Sequence, residues 1–262
     1  MQLQLENKVI VITGGAKGIG AAIARGCAQE GAIPVVIDRD AEAGGKIQQE
    51  LNGGDGIVRA KWINVDLADA SGCRQAVEGA VKEYGTIDGL VNNAGMNDRI
   101  GLEHGSPEDY RKSLERNLLH YFDMAHFCLP HLKKSRGNIV NIASKTAITG
   151  QGGTSGYASA KGAILALTRE WAAELLPYAI RVNAIVPAEV MTPLYRQWLS
   201  SFPDPGEKLK KIIGKIPLEA RMTEPAEIAS VAIFLLSGRA GHITGQHWFV
   251  DGGYVHLDRA LT

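Results

Sequence analysis

Short β-branched apolar runs alternate along the chain with longer stretches whose apolar residues recur at helical spacing. The runs fall at 8–13, 33–38, 57–65, 89–92, 138–142, 181–186 and 247–250. The helix-period stretches fall at 18–30, 41–51, 69–84, 107–134, 156–176 and 224–237. Val9-Ile10-Val11-Ile12 is apolar at every position, as a strand is when helices cover both faces of its pleat. The alternation therefore predicts an α/β fold, a parallel sheet with helices on both faces. Ser106-Pro107 with Asp109 opens one helix, and Thr223-Glu224-Pro225 opens another. No repeat or linker breaks the series, so residues 1–262 read as a single domain. The irregular stretch is 188–222, with four prolines among amphipathic pieces. It follows the sixth strand, where a substrate lid would sit beyond the strand ends.

Composition narrows the classes. The 262 residues carry 28 Lys+Arg against 28 Asp+Glu, and this zero balance argues against a nucleic-acid binder or an anionic membrane surface. The longest apolar run, 231–236, is too short to cross a bilayer, and the N-terminus lacks the charged-then-apolar layout of an export signal. Cys27, Cys73 and Cys128 are odd in number and widely spaced, suggesting neither a disulfide framework nor a zinc site. His120, His126 and His131 have no suitably spaced carboxylate, so no metal is expected. A soluble, cytoplasmic protein is the expectation.

After the first strand comes Thr13-Gly14-Gly15-Ala16-Lys17-Gly18-Ile19-Gly20, followed by an apolar helix. Glycines let the backbone turn tightly against a pyrophosphate, and the helix N-terminus offers free N–H groups and the positive end of its dipole. The glycine spacing departs from G-x-G-x-x-G, so the turn alone is equally a plain strand-to-helix connection. Asp38, closing the second strand, adds weight: an acid there accepts hydrogen bonds from ribose hydroxyls and repels a 2′-phosphate, which favours NAD. Lys17 and Arg39 stand where a cation could meet that phosphate, so NADP stays open.

In Gly156-Tyr157-Ala158-Ser159-Ala160-Lys161 the phenol and the ammonium stand four residues apart, on one helix face. Tyrosine, with a pKa of ~10, is a poor base near neutrality, and a fixed ammonium would lower that value. A bare Tyr-x-x-x-Lys equally suits an amphipathic helix with a solvated lysine. Taken with TGGAKGIG at 13–20, Asp66-Leu67, Asn92-Asn93-Ala94-Gly95, Asn117 and Ser144, however, it resembles the short-chain dehydrogenase/reductase family along essentially the whole chain. That resemblance implies a single Rossmann-type domain, a seven-stranded parallel sheet and hydride transfer to NAD(P). It implies Tyr157 as acid/base, Ser144 holding the substrate oxygen, Lys161 binding the nicotinamide ribose and lowering the Tyr157 pKa, and Asn117 anchoring a relay water. Gly14, Lys17, Gly18, Ile19, Gly20, Asp38, Arg39, Asp66, Leu67, Asn93, Ala94 and Gly95 match its cofactor positions, and Val190 and Thr192 its carboxamide contacts. Relatives carry Pro-Gly where this chain has Pro187-Ala188-Glu189, which puts a positive φ at Ala188 in doubt.

Asn97, Lys145, Gln151 and Glu189 fall on loops expected near the mouth, where they read either as solvated surface or as partners for a polyhydroxylated substrate. Tyr195, Trp198 and Phe202 could cover one face of a sugar or pack in the core. The lid and the tail resemble those of bacterial L-fucose dehydrogenases, implying oxidation of the anomeric hydroxyl of L-fucose to a lactone. Homo-tetramers through the long helices are common among relatives, with 256–259 reaching a neighbouring subunit. A hydroxysteroid or 3-oxoacyl-thioester reductase is the enzymatic alternative, the latter kept open by Lys208, Lys210, Lys211 and Lys215. A non-catalytic dinucleotide sensor would share the fold but is expected to lack part of the tetrad, which is whole here.

Overall fold

In a computed structural model of the chain, residues 2–53 and 60–257 are described. Seven parallel strands form one sheet: β1 (Val9–Thr13), β2 (Ile33–Asp38), β3 (Lys61–Asn64), β4 (Gly89–Asn92), β5 (Asn138–Ile142), β6 (Arg181–Pro187) and β7 (His247–Val250). Their order is β3-β2-β1-β4-β5-β6-β7, so the winding reverses between β1 and β4, where open α/β sheets form their ligand crevice. The third predicted strand, 57–65, is realised as β3; its residues 57–59 lie outside the described residues.

The helices are α1 (Gly18–Gln29), α2 (Ala41–Leu51), α3 (Ala70–Tyr84), α4 (Pro107–Leu114), α5 (His120–Ser135), α6 (Thr146–Thr149), α7 (Ser155–Glu174), α8 (Pro193–Leu199), α9 (Pro205–Ile213) and α10 (Pro225–Leu236). Alternate strand residues divide the core between the two faces. Ile10, Ile12 and Val36 pack with Ile23 of α1 and Ile228 of α10, whereas Val9, Val11 and Ile37 pack on the side of Val77, Met124 and Ile164. Both helix starts read from sequence carry capping boxes, Ser106 with Asp109 at α4 and Glu224 with Glu227 at α10.

The predicted helix 107–134 is not one regular helix. A π-helical turn, Glu115–Leu119, separates α4 from α5. Within it the Asn117 Nδ2 donates to Ser113 O at 3.0 Å, the carbonyl an α-helix would give to the Asn117 backbone N–H. A polar side chain that binds its own helix thus widens the turn. Among the described residues no helix is long and apolar enough to cross a membrane, and all three cysteines are buried and free.

Candidate active site

The glycine-rich turn is stitched to the end of β4. Thr13 Oγ1 accepts from Asn93 N at 2.9 Å and Ala94 N at 3.0 Å, while Asn93 Nδ2 donates to Thr13 O and Gly14 O, both at 3.0 Å. The Asn93 side chain therefore braces the turn. Gly14 and Gly18 have φ of +61° and +55°. A Cβ on Gly20 would fall 2.2 Å from Gly14 O, so the third glycine is a requirement of close approach. Several helices have a side-chain acceptor at the N-cap, such as Asp40 at α2 and Asp69 at α3, whereas α1 has none and no acid in its first turn. Its N-cap side chain supplies no acceptor to the first-turn N–H groups, and the turn fits the diphosphate of a nicotinamide dinucleotide.

Asp38 accepts from Ala16 N at 3.1 Å and Asp40 N at 3.0 Å, holding the end of β2 against that turn. Lys17 is paired with Asp40, and Arg39 with Asp66 at 3.0 Å, so both cations already face carboxylates. Leu67 and Val190 are buried, and Ile19 packs on the core. Thr192 caps α8 and lies 3.4 Å from where a Gly18 Cβ would stand, bringing the 188–222 segment onto the turn.

Ser144, Tyr157, Lys161 and Asn117 come together at the C-terminal end of β5. The β5–β6 pairing runs past the strand, with Ala143 N donating to Ile185 O at 2.8 Å and Lys145 N to Pro187 O at 2.9 Å, which fixes Ser144. Tyr157 stands in the first turn of α7, and burial pushes its phenol up to about 12, against the opposing influence of a hydrogen bond with Ser144. The Lys161 Nζ lies 5.6 Å from the Tyr157 ring and donates instead to Ile142 O at 2.8 Å and Tyr121 Oη at 2.9 Å. Burial brings Lys161 itself down to about 7. Asn117 is fully buried, with Oδ1 accepting from Met96 N at 2.8 Å. Gly95, at φ +151°, passes so close that a Cβ would sit 3.0 Å from that oxygen and 3.6 Å from Lys161 Nζ.

Lys145 and Glu189 are not solvated loop groups but a largely buried ion pair, and Tyr195 Oη donates to the second Glu189 oxygen at 2.6 Å. Lys145 Nζ also sits 4.1 Å from the Tyr254 ring. Both Glu189 oxygens thus have protein partners, a carboxylate less open to a ligand than the sequence suggested. Ala188 keeps an ordinary φ, so the small residue suffices without the glycine. Asn97 closes a local turn by accepting from Arg99 N at 3.1 Å, and Gln151 is exposed. Tyr195, Trp198 and Phe202 form a T-shaped ladder on the segment, with ring centroids 5.0 and 4.9 Å apart, and Lys208 stacks on its end. Lys211 pairs with Glu207 at 2.7 Å. His120 is buried and neutral, and no metal-binding cluster occurs among the described residues. In the tail His256 packs edge-on against Phe249 at 4.2 Å, while Asp258 and Arg259 lie outside the described residues.

Sequence reasoning passed over Tyr121 and Asp98. Tyr121 follows Asn117 by four residues, a spacing that could have flagged it. Asp98 accepts from Ser113 Oγ at 2.9 Å, and its other oxygen is buried without a partner.

Comparison with known proteins agrees with this geometry. A family model described as enoyl-(acyl carrier protein) reductase matches residues 14–255. The chain belongs to the short-chain dehydrogenase/reductase family. It is 38% identical to L-fucose dehydrogenase of Oryctolagus cuniculus over 248 residues, 94% of this chain and 84% of that one. Among solved structures it resembles Cj0485 dehydrogenase, at 49% identity and a TM-score of 0.94 over 100% of this chain and 99% of the other. It also resembles L-sorbose reductase from Gluconobacter frateurii, complexed with NADPH and L-sorbose, at 29% identity and a TM-score of 0.92, covering 98% and 100%. The protein is accordingly an oxidoreductase acting on CH–OH groups with a nicotinamide cofactor.

Proposed function

We propose that this enzyme oxidises a sugar hydroxyl, the anomeric hydroxyl of L-fucose to the lactone, with NAD as the favoured acceptor. The observation that carries the reading is the whole set Asn117, Ser144, Tyr157 and Lys161 at the end of β5, in a chain similar to L-fucose dehydrogenase over nearly its full length. The Ser144 hydroxyl holds the reacting oxygen, and Tyr157 takes its proton as the C–H bond breaks. The bound nicotinamide supplies the hydride acceptor. Lys161 and the first turn of α7 stabilise the phenolate as it forms. The Asn117 amide holds the Gly95–Met96 backbone beside Lys161 and keeps a site for a relay water.

Asp38 supports NAD, because its carboxylate stands against the glycine-rich turn and the two nearby cations are already paired. Displacing Asp40 and Asp66 would free Lys17 and Arg39 for a 2′-phosphate, which is the route by which NADP would bind. Gln151, Asn97 and the Lys145–Glu189 pair are the polar groups for sugar hydroxyls in this reading, with Trp198 covering one face. Exposed Leu119 and Phe122 beside and on α5 suit the expected homo-tetramer. A second reading, a reductase of less polar ketones such as steroids or acyl thioesters, draws support from exposed Met96, Ile148 and Leu194 on three segments of the site.

The test follows reduced-nicotinamide absorbance with L-fucose, its enantiomer, other aldoses and secondary alcohols, each with NAD and NADP. Turnover confined to L-fucose and its close stereochemical relatives is expected. Turnover of a steroid or acyl substrate alone would remove the sugar assignment and leave the catalytic one.

A further inference from the structure

Lys161 reaches the site one helical turn after Tyr157, and its ammonium has two protein acceptors. Ile142 O, the last carbonyl of β5, accepts at 2.8 Å, and Tyr121 Oη accepts at 2.9 Å. Tyr121 Oη itself donates to Ile142 O at 2.9 Å, so three polar atoms close a triangle. With its single proton committed to that carbonyl, the hydroxyl can meet Nζ only as an acceptor. Tyr121 is fully buried, its carbonyl accepts from Asn92 Nδ2 at 3.4 Å, and its ring lies 5.0 Å from that of His120. Asn92 Nδ2 also donates to Asn141 Oδ1 at 3.1 Å, and Asn141 Nδ2 to Thr168 Oγ1 on α7 at 3.0 Å, so the α5 backbone at Tyr121 is tied to β4, β5 and α7.

An ammonium has three N–H donors, and two are directed into the protein. The third is left for the side where a Gly95 Cβ would stand 3.6 Å from Nζ and the Tyr157 ring lies 5.6 Å away. We infer that Tyr121 is a positioning residue for Lys161, its hydroxyl keeping the buried ammonium charged and aiming the third donor at the reacting side of the site. The catalytic consequence rests on the proposed function; the effect on Lys161 does not.

The other titratable groups facing this pair do not supply the missing acceptor. Tyr157 on α7 is neutral, and His120 on α5, held neutral by burial, has Nδ1 without a partner. Asp98 acts on Tyr157 and Asp66 on His120, each through space. Burial already holds Lys161 near neutrality, so one hydrogen bond to its charged form moves the charged fraction at working pH.

The test labels lysine with ¹³C at Cε and follows the Lys161 titration by NMR in cofactor-free protein, the signal assigned through Lys161→Met. In Tyr121→Phe the midpoint is expected to fall by about one pH unit, roughly tenfold in the protonation constant. Tyr121→Met, which also removes the ring, is expected to melt lower but to titrate with the Phe variant, because the shift follows the oxygen. In turnover the alkaline limb of kcat moves down in Tyr121→Phe while KM changes little. A wild-type midpoint in the folded Phe variant overturns the inference, and so does a shift in the Met variant alone. If the unaltered enzyme turns over no alcohol, the proposed function fails and the NMR midpoint still decides Tyr121.

Discussion

A phenol held near pKa 12, as Tyr157 is by burial, is almost wholly protonated at neutral pH, so oxidation needs the charge that Lys161 and the bound cofactor bring. In the proposed mechanism the deprotonated form takes the alcohol proton, and the protonated form returns it in the reverse direction. Oxidation is therefore expected to rise with pH until Lys161 loses its charge, while reduction falls. Tyr157→Phe should lower kcat by about 10²–10⁴-fold with cofactor affinity retained, checked by steady-state rates and fluorescence titration. Undiminished turnover in that variant would remove Tyr157 from the chemistry. His120 bears on stability instead. Burial lowers it to about 4, so between the unfolded value of ~6.5 and about 4 the unfolded chain binds the extra proton. Its contribution is fully present above the upper limit and lost as pH falls through the lower, about 3 kcal/mol in all. Urea unfolding across that window should show the loss in the natural protein and a shallower slope in His120→Gln.

At the scale of elements, the strand–turn–helix unit β1–α1 owes its shape to backbone contacts that exclude side-chain atoms. In Gly20→Ala the new Cβ would fall 2.2 Å from Gly14 O and 2.6 Å from Asn93 Nδ2, so the turn must open. A stability loss of about 1–3 kcal/mol is expected, with at least a roughly tenfold loss of cofactor affinity, read by thermal melting and fluorescence titration. Unchanged affinity would mean that the turn does not hold the diphosphate. That unit was legible in the sequence because its signals are local, as were the buried strands and the caps at Ser106 and Glu224. The π-turn was not, since periodicity registers a helix but not the Asn117 amide that displaces a backbone bond within it. Nor were the contacts that define the mouth. Lys145 and Glu189 are 44 residues apart and meet because pairing with β6 continues past the end of β5, so the sequence offered each singly as loop polarity or a substrate partner but not their pairing.

Across the whole molecule, the 188–222 segment is joined to the rest of the fold at its base. Thr223 N donates to Glu189 O at 2.9 Å and Met191 N to Thr223 O at 2.9 Å, closing the base of the loop, while Leu218 N bonds Gly252 O at 3.0 Å. Further out the hold weakens: α9 has no buried residue, and Lys210 and Lys211 are exposed on it. A helix with so little buried surface opens locally at small free-energy cost, so trypsin is expected to cut first at 210–211. The segment also touches the glycine-rich turn, where Thr192 packs against Gly18. If the cofactor binds the closed arrangement more tightly than the open one, ligand at 100 times Kd can add up to about 2.7 kcal/mol against opening. Nicking should then slow several-fold with NAD present, and further with sugar. In Glu189→Gln, where Lys145 loses its charged partner and the base beside Tyr195 is weakened, nicking should be faster and the protection smaller. Equal rates with and without saturating cofactor would show that the segment moves independently of the site, and its role as a lid would fall with that result.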